Sequence, residues 1–313
     1  MELRQLRYFL TAVEHKSLGR AALELGIGTS ALSQQISKLE SELCTRLLSR
    51  TSTGVVLTSA GIAFEHHARL TLRQAENAVQ AAQRERMSGY VSVGLPPTTA
   101  SVLALPLIDA MRERYPDIQL HLVEMLSGYL ANQLNARQLD LAVLFQADTG
   151  KRWHVRPLLD ERLFVITSPR LAGAPVGETV RLSELGRLPL VLPSQQHGLR
   201  TTLMATFERS GIEPNIVMEI DGLALLMQTV RGGYAATIQP GAAAARSGES
   251  GLSVVQIEDA HVTRRNLLVT LSEDELSPAA LAARVVIVDV ARELVRQGKW
   301  PGASLYEPAS PEA

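Results

Sequence analysis

Cysteine and aromatic side chains are scarce in this sequence. Its 313 residues include one cysteine, Cys44, so an internal disulfide is excluded and a reducing compartment is expected. Phe, Trp and Tyr together make up 4% of the chain, which leaves Leu, Val, Ile and Ala to build the cores. No apolar run approaches the roughly 20 residues needed to cross a bilayer. The opening residues, MELRQLRYFLTAVEHKS, interrupt their apolar positions with Glu2, Arg4, Gln5 and Arg7, unlike the continuous core of a signal peptide. A cytoplasmic protein without membrane association is expected. A strong charge is lacking too: the formal net charge is -1. Residues 1–90 carry 11 Lys and Arg against 8 Asp and Glu, and the remainder 20 against 24, a mild polarity compatible with a DNA-facing N-terminus.

What is present points to a folded protein of several domains. Hydrophobic residues make up 46% of the chain, enough to bury real cores, and the length fits two or three domains. Leu3, Leu6, Phe9, Leu10 and Val13 recur at helical spacing. Ser17 reads as the N-cap of a helix over 18–25, Gly26 as its terminator, and Thr29 or Ser30 as the cap of the next. In that next helix Leu32, Ile36, Leu39 and Leu43 step by four, three and four. Two short helices joined by a tight Gly-containing turn match a helix-turn-helix. A small ribbon follows, with Leu47-Leu48 and Val55-Val56-Leu57 as its arms and Ser52-Thr53-Gly54 as its tip. Thr58 or Ser59 then caps a long helix through about Met87. Its residues Ala68, Leu72, Ala75, Val79 and Ala82 form a heptad seam that predicts a partner helix. Packing against its own domain is the alternative.

With the apolar stripe turned inward, the helix in "GIGTSALSQQISKLESEL" presents Thr29, Ser30, Ser33, Gln34, Ser37 and Lys38. Short hydroxyl and amide side chains can both donate to and accept from base edges in a major groove. Arg20, Lys38 and Arg50, with Ser52 and Thr53 at the ribbon tip, are placed to meet phosphates around the rim. A plain solvated helix face is the competing explanation, disfavoured by the helix-turn-helix and wing-like context.

After Ser88-Gly89 short β-rich runs alternate with helical segments: "YVSVGL", a helix over 103–114, "IQLHLVEM", "LDLAVLF", "RLFVITSP", "LPLVLP" and onward to a last helix over 278–296. That alternation predicts an α/β architecture with mainly parallel sheets. The number of strands suggests two lobes, with crossings near 161–164 and 263–268. Domains are expected at 1–58 (winged helix-turn-helix), 59–88 (linker helix) and 89–300. Lobe I would hold about 89–161 and 268–300, and lobe II about 162–267. Residues 301–313, rich in Pro and small side chains, are expected to form a flexible tail.

The segments "LRQLRYFLTAVEHKSLGRAALELGIGTSALSQQISKLESEL" and "RLLSRTSTGVVLTSAG" resemble the winged helix-turn-helix of LysR-type transcriptional regulators. The specific features are Arg20-Ala21-Ala22, Ala31-Leu32-Ser33, Leu39-Glu40, Arg50 and Leu57-Thr58 followed by Ala60-Gly61. "SGYVSVGLPP", "YPDIQLHLVEMLSGYL" and "LPLVLPSQQHGLR" are similar to effector domains of the nitrogen-assimilation-control-like subgroup. The resemblance implies double-stranded promoter DNA, RNA polymerase and a second copy of the chain as partners, in a dimer or tetramer joined by linker helices. It also implies a two-lobed, periplasmic-binding-protein-like domain with a small-molecule effector in its cleft. Gly28-Thr29-Ser30 stands where the family usually has Ser-Gln-Pro, and Cys44 where it usually has Gly. If that backbone needs positive φ, Cys44 is strained. A buried structural thiol is the expected role for Cys44, a redox sensor the alternative.

Ligands of open α/β sheets sit beyond strand C-termini, where helix N-termini converge. That rule selects Thr98, Thr99 and Ser101 after "VSVGL", Ser127 and Gly128 after "LHLVEM", and Phe145 after "AVL". It adds Ser194, His197, Gly198 and Arg200 around "SQQHGLR", and Thr237. Hydroxyls, amides and one or two cations would suit a small carboxylate or similar anion; alternatively, each group merely caps its own helix. No catalytic role is supported: Ser194 and His197 lack a Gly-Xaa-Ser-Xaa-Gly elbow, and Glu65-His66-His67 lacks metal-helix spacing. No metal or nucleotide cofactor is supported either. The reading from a different class is a cytoplasmic solute-binding α/β protein whose N-terminal helices serve only oligomerisation.

Overall fold

The computed structural model describes residues 1–51, 54–82, 88–146, 153–245, 251–259, 262–271 and 276–306. The chain divides into two compact units, Met1–Glu85 and Arg86–Ala313.

In the first unit, helices α1 (Leu3–His15), α2 (Leu18–Glu24) and α3 (Thr29–Glu42) precede an antiparallel ribbon of β1 (Leu48–Thr51) and β2 (Gly54–Leu57), then helix α4 (Ser59–Ala82). The apolar stripes meet in one core that includes Leu6, Phe9, Leu32, Leu39, Leu47 and Ala68. Ser17 Oγ accepts from Arg20 N (3.4 Å), and Gly26 turns the chain with φ 64°. The start of α3 differs from expectation. Gly28, in extended conformation, is the N-cap, and its carbonyl accepts from Leu32 N (3.0 Å). Thr29 and Ser30 therefore lie inside the first turn rather than capping it. Thr58 caps α4, its Oγ1 accepting from Gly61 N (3.0 Å).

The ribbon is seated on the helices at close quarters. Val55 N donates to Lys16 O (3.1 Å). At Gly54, with φ 137°, a Cβ would lie 2.1 Å from that same oxygen, so no larger residue fits. Along α4, Ala68 is 2% exposed and Leu72 packs partly on the unit's own core, whereas Val79 is 58% exposed. The first half of the seam thus serves its own unit. Ala75 is half-buried, and the side chain of Ala82 lies outside the described residues.

The second unit is a mixed α/β structure. Strands β3 (Gly89–Leu95), β4 (Ile118–Glu124) and β5 (Leu141–Leu144) are parallel, and β12 (Thr263–Thr270) joins them antiparallel. Helices α5 (Pro97–Arg114) and α10 (Pro278–Arg296) bury Leu103, Leu107, Val286 and Ile287 with the sheet residues Val91 and Val93. Helix α6 (Ser127–Asn135) contributes Leu130 and Leu134 to a core shared with Leu144 and Val269. Strand β6 (His154–Thr167) then carries the sheet onward. Its residues 154–162 pair with β12, and 163–167 pair with β10 (Thr237–Pro240) and β11 (Ser253–Ile257). In this second lobe α7 (Gly198–Arg209) sets Leu199, Leu203 and Phe207 against Val165 and Ile238, while α8 (Leu223–Arg231) sets Leu226, Met227 and Val230 against Ile166. β7 (Thr179–Val180) pairs with β11, and β8 (Leu190–Leu192) with β9 (Ile216–Glu219). α9 (Ala242–Ala245) follows β10.

Three expectations need correction here. The sheets are mixed rather than mainly parallel, because β6 pairs antiparallel with β10, β11, β12 and β13. Helix α5 starts at Pro97 rather than 103, because Pro at the first helical position forfeits no intrahelical donor. The tail expected to be free from 301 instead forms β13 (Ala303–Leu305), paired with Leu159–Glu161 of β6. Trp300, 2% exposed, donates its indole N–H to Glu161 Oε1 (2.8 Å), so an open strand edge and a buried acceptor hold the segment. Residues 307–313 lie outside the description.

Candidate functional site

On α3, Leu32, Ile36 and Leu39 are buried, and Thr29, Ser30, Gln34, Ser37 and Lys38 are exposed, with Ser33 half-buried. The predicted polar face is therefore on the surface of its unit, and Arg20 is exposed too. Lys38 Nζ lies 3.8 Å from Glu2 Oε1, both at least half exposed, a pair of small energetic weight. Arg50 pairs its backbone with Val55, but its side chain, with Ser52 and Thr53, lies outside the described residues.

One residue that fixes this face belongs to the Leu39-Glu40 pair of the family resemblance, but neither periodicity nor spacing signals what it does. Glu40, 9% exposed, turns Oε1 onto the backbone N–H groups of Leu47 (2.7 Å) and Leu48 (2.9 Å). A carboxylate on the inner side of α3 thus ties down the first strand of the ribbon. Between them a notch of about 320 Å³ opens, bordered by Ser33, Ser37, Arg46 and Ser49. Cys44, just past α3, has φ 50° and is exposed. The positive φ agrees with a glycine-type position, but the thiol is not buried, because α3 has ended and the side chain leaves the core.

In the second unit a cleft of about 380 Å³ runs between the lobes. Four of the residues selected from sequence line it: Ser127, Gly128, Phe145 and Gly198. Gln146, Trp153, Gln195, Gln196 and Thr201 line it as well; the strand-end rule did not select them.

The other selected residues serve the frame. Thr98 Oγ1 accepts from Arg264 Nη2 (2.9 Å), Thr99 Oγ1 donates to Asn266 Oδ1 (3.0 Å), and Ser101 Oγ donates to Ala242 O (2.9 Å). Because α5 begins at Pro97, all three lie in its first turns instead of a loop, with Thr98 and Thr99 against β12 and Ser101 against α9. Ser194 N donates to Asp221 Oδ1 (2.8 Å). Arg200, 8% exposed, reaches Pro193 O (3.3 Å) and Glu219 Oε1 (3.2 Å). Thr237 is opposite Ile166, four residues beyond the last β6 residue paired with β12. β10 runs antiparallel to β6, so its first residue lies at the end away from the crossover.

The floor of the crossover holds a buried ion pair that sequence reading passed over. Arg264 and Glu161 are both fully buried, with Nε 3.0 Å and Nη2 2.5 Å from Glu161 Oε2. Asn266 Nδ2 (2.6 Å) and the Trp300 indole also donate to Glu161. The Arg264 guanidinium lies 3.8 Å from the centroid of Phe145, whose far neighbour is the stacked ring of His197 (5.3 Å). Burial holds the Arg264 pKa down, and Glu161 opposes that. His197 is pushed down to about 3, chiefly by burial and secondarily by the charge of Arg264. Its Nδ1 accepts from Leu199 N (3.1 Å), so the ring is neutral with its proton on Nε2. It supplies no positive charge to the cleft.

Comparison with known proteins matches both units. Residues 3–62 match the family described as bacterial regulatory helix-turn-helix protein, lysR family, and residues 84–292 match the LysR substrate binding domain. The nitrogen assimilation regulatory protein nac of Klebsiella aerogenes is 32% identical over 295 residues, covering 93% of this chain and 95% of that one. Among solved structures, a Corynebacterium glutamicum OxyR C206 mutant is 27% identical with a TM-score of 0.62, covering 99% of this chain and 98% of its own. Full-length CbnR complexed with its target DNA shares the fold, with a TM-score of 0.72 at 24% identity over 93% of this chain and 100% of its own. Among the described residues no helix is long and apolar enough to cross a membrane. Both domain matches fall in order along one chain, and this protein belongs to the LysR family as a DNA-binding transcriptional regulator with an effector-binding domain, not an enzyme.

Proposed function

We propose that the chain reads a specific operator by laying α3 in the major groove. Thr29, Ser33 and Gln34 would face base edges, while Ser30, Ser37, Lys38, Arg20 and Arg50 meet the flanking phosphates. The observation that carries this reading is the exposed run of short polar side chains on α3, beside a ribbon tied to it through Glu40. Gly28 places no side chain over the first-turn amides of α3, which suits a phosphate at that helix end. The reading is also supported by a shared fold: full-length CbnR has been solved with its target DNA. Val79, exposed on α4, offers the second half of the seam to a partner chain, giving a dimer or tetramer in the cytoplasm that acts on RNA polymerase.

The lobed unit would modulate this activity through a small molecule in the cleft lined by Ser127, Gly128, Phe145 and Gly198. A carboxylate or similar anion finds hydroxyls and amides there. Arg200 adds little, being paired with Glu219, and the neutral His197 adds no charge.

Selection of random duplexes by the full-length chain tests the operator reading. A pseudo-palindromic sequence is expected, with half-sites about 10 bp apart and affinity falling steeply as salt rises. Recovery of no preferred sequence would leave the solute-binding alternative.

A further inference from the structure

Two backbone amides at the mouth of the cleft are already engaged, each by the opposite lobe. Gly198 N, at the start of α7, donates to Ser127 Oγ at 2.9 Å. Gly128 N, in the first turn of α6, donates to Gln196 O at 2.9 Å. The two bonds run in opposite directions across the same gap, lobe II to lobe I and back. Glycine is what lets the lobes come this close: a Cβ on Gly128 would sit 2.5 Å from Gln196 O, and one on Gly198 would press on Phe145 and Ser127. The far side of the cleft is fixed as well. Arg264 and Asn266 hold Glu161 at the crossover, and Arg162 N donates to Gly302 O (2.9 Å), so the C-terminal segment braces the strand that joins the lobes.

From these contacts we infer that the effector domain latches shut on its own, through reciprocal Gly198–Ser127 and Gly128–Gln196 bonds that fill the positions a ligand's acceptor atoms would take. The inference rests on the reading of this cleft as the effector site and concerns how that site is controlled. A hinged receptor that gapes when empty is closed by its ligand. With the latch the resting state is closed, so a ligand binds by displacing Ser127 Oγ or Gln196 O from the amides they now engage and parts or props the lobes. A ligand shifts such an equilibrium only by its differential affinity for the two states, and the latch sets the threshold it must exceed. The domain accordingly holds its closed form when no small molecule is present.

Hydrogen–deuterium exchange on the full-length, ligand-free protein reads the latch directly, through peptides spanning 126–135 and 195–203. Both amides should be protected in the wild type. Gly128→Val should force the lobes apart and speed exchange at Gly198 by about tenfold or more, while peptides of α10 keep their protection. Ser127→Ala, which adds no bulk, should release Gly198 alone and leave Gly128 protected; it decides the matter if the valine variant also loosens α10. Unprotected Gly128 and Gly198 amides in the wild type, or a Gly198 amide indifferent to both substitutions, would overturn the latch. Failure of the regulator reading would show separately, as the absence of a preferred duplex for the wild-type chain.

Discussion

Short polar side chains occur in two places in this protein and meet opposite fates. On α3 the hydroxyls and amides of Thr29, Ser30, Gln34 and Ser37 face outward. Around the lobes, those of Thr98, Thr99, Ser101 and Ser127 are taken up by other parts of the same unit. The residue types are nearly the same, and the difference lies in what stands opposite. The apolar stripe of α3 fixes which side is buried and leaves the other side open. α5 and α6 lie on a sheet and against a second lobe, so their N-terminal hydroxyls find acceptors and donors at once. An exposed polar face is a surface for a partner, whereas a satisfied one is a means of holding parts together.

Substitutions can break this contrast on either side. The largest effect is expected at the crossover: Glu161→Ala leaves Arg264 buried without its counter-charge, at a cost of about 3–5 kcal/mol. Urea unfolding of the full chain should show a destabilised transition for the lobed unit, with that of the helix-turn-helix unchanged. Next is Glu40→Ala, which strips the acceptor from two buried amides at about 1–3 kcal/mol each and should lower both stability and operator affinity. Glu40→Gln keeps an oxygen at the same place and should restore much of the loss.

Ser33→Ala and Gln34→Ala sharpen the other side. Each should weaken a selected operator by about 1–3 kcal/mol while leaving stability and binding to random duplexes unchanged, as titrations on the two kinds of duplex would show. The smallest effect is the pH response of His197. Its folded pKa, about 3, lies below the ordinary 6.5, so the unfolded chain takes up the proton first. The stability it lends is full above pH 6.5 and declines as pH falls toward 3, by about 1.4 kcal/mol at pH 5.5. His197→Asn keeps an acceptor for Leu199 N and should remove this part of the pH dependence in thermal melts.

The first unit was largely legible from sequence because its signals are local. The steps from Leu32 to Leu43 set the inner side of α3, Ser17 and Gly26 punctuate α2, and Thr58 opens α4. Glu40 was not legible: its spacing fits an inner position where a carboxylate looks misplaced, and its partners Leu47 and Leu48 come only with the fold. In the lobed unit the alternation of strands and helices gave the class, and strand ends gave part of the cleft. Thr237 was misplaced because it opens β10 rather than ending it, so it lies at the other end of the strand from the one the rule selects. Arg264, Glu161 and Trp300 are brought together across more than 100 residues of sequence, a separation at which no periodicity speaks.

The most direct test of α3 as the reading element is dimethyl sulfate protection of guanine N7 on a duplex selected by the full-length protein. N7 lies in the major groove, so insertion of α3 predicts protected guanines in two patches about one helical turn apart, lost from both patches in Gln34→Ala. Protection confined to phosphates, with every N7 as reactive as in free DNA, would contradict it.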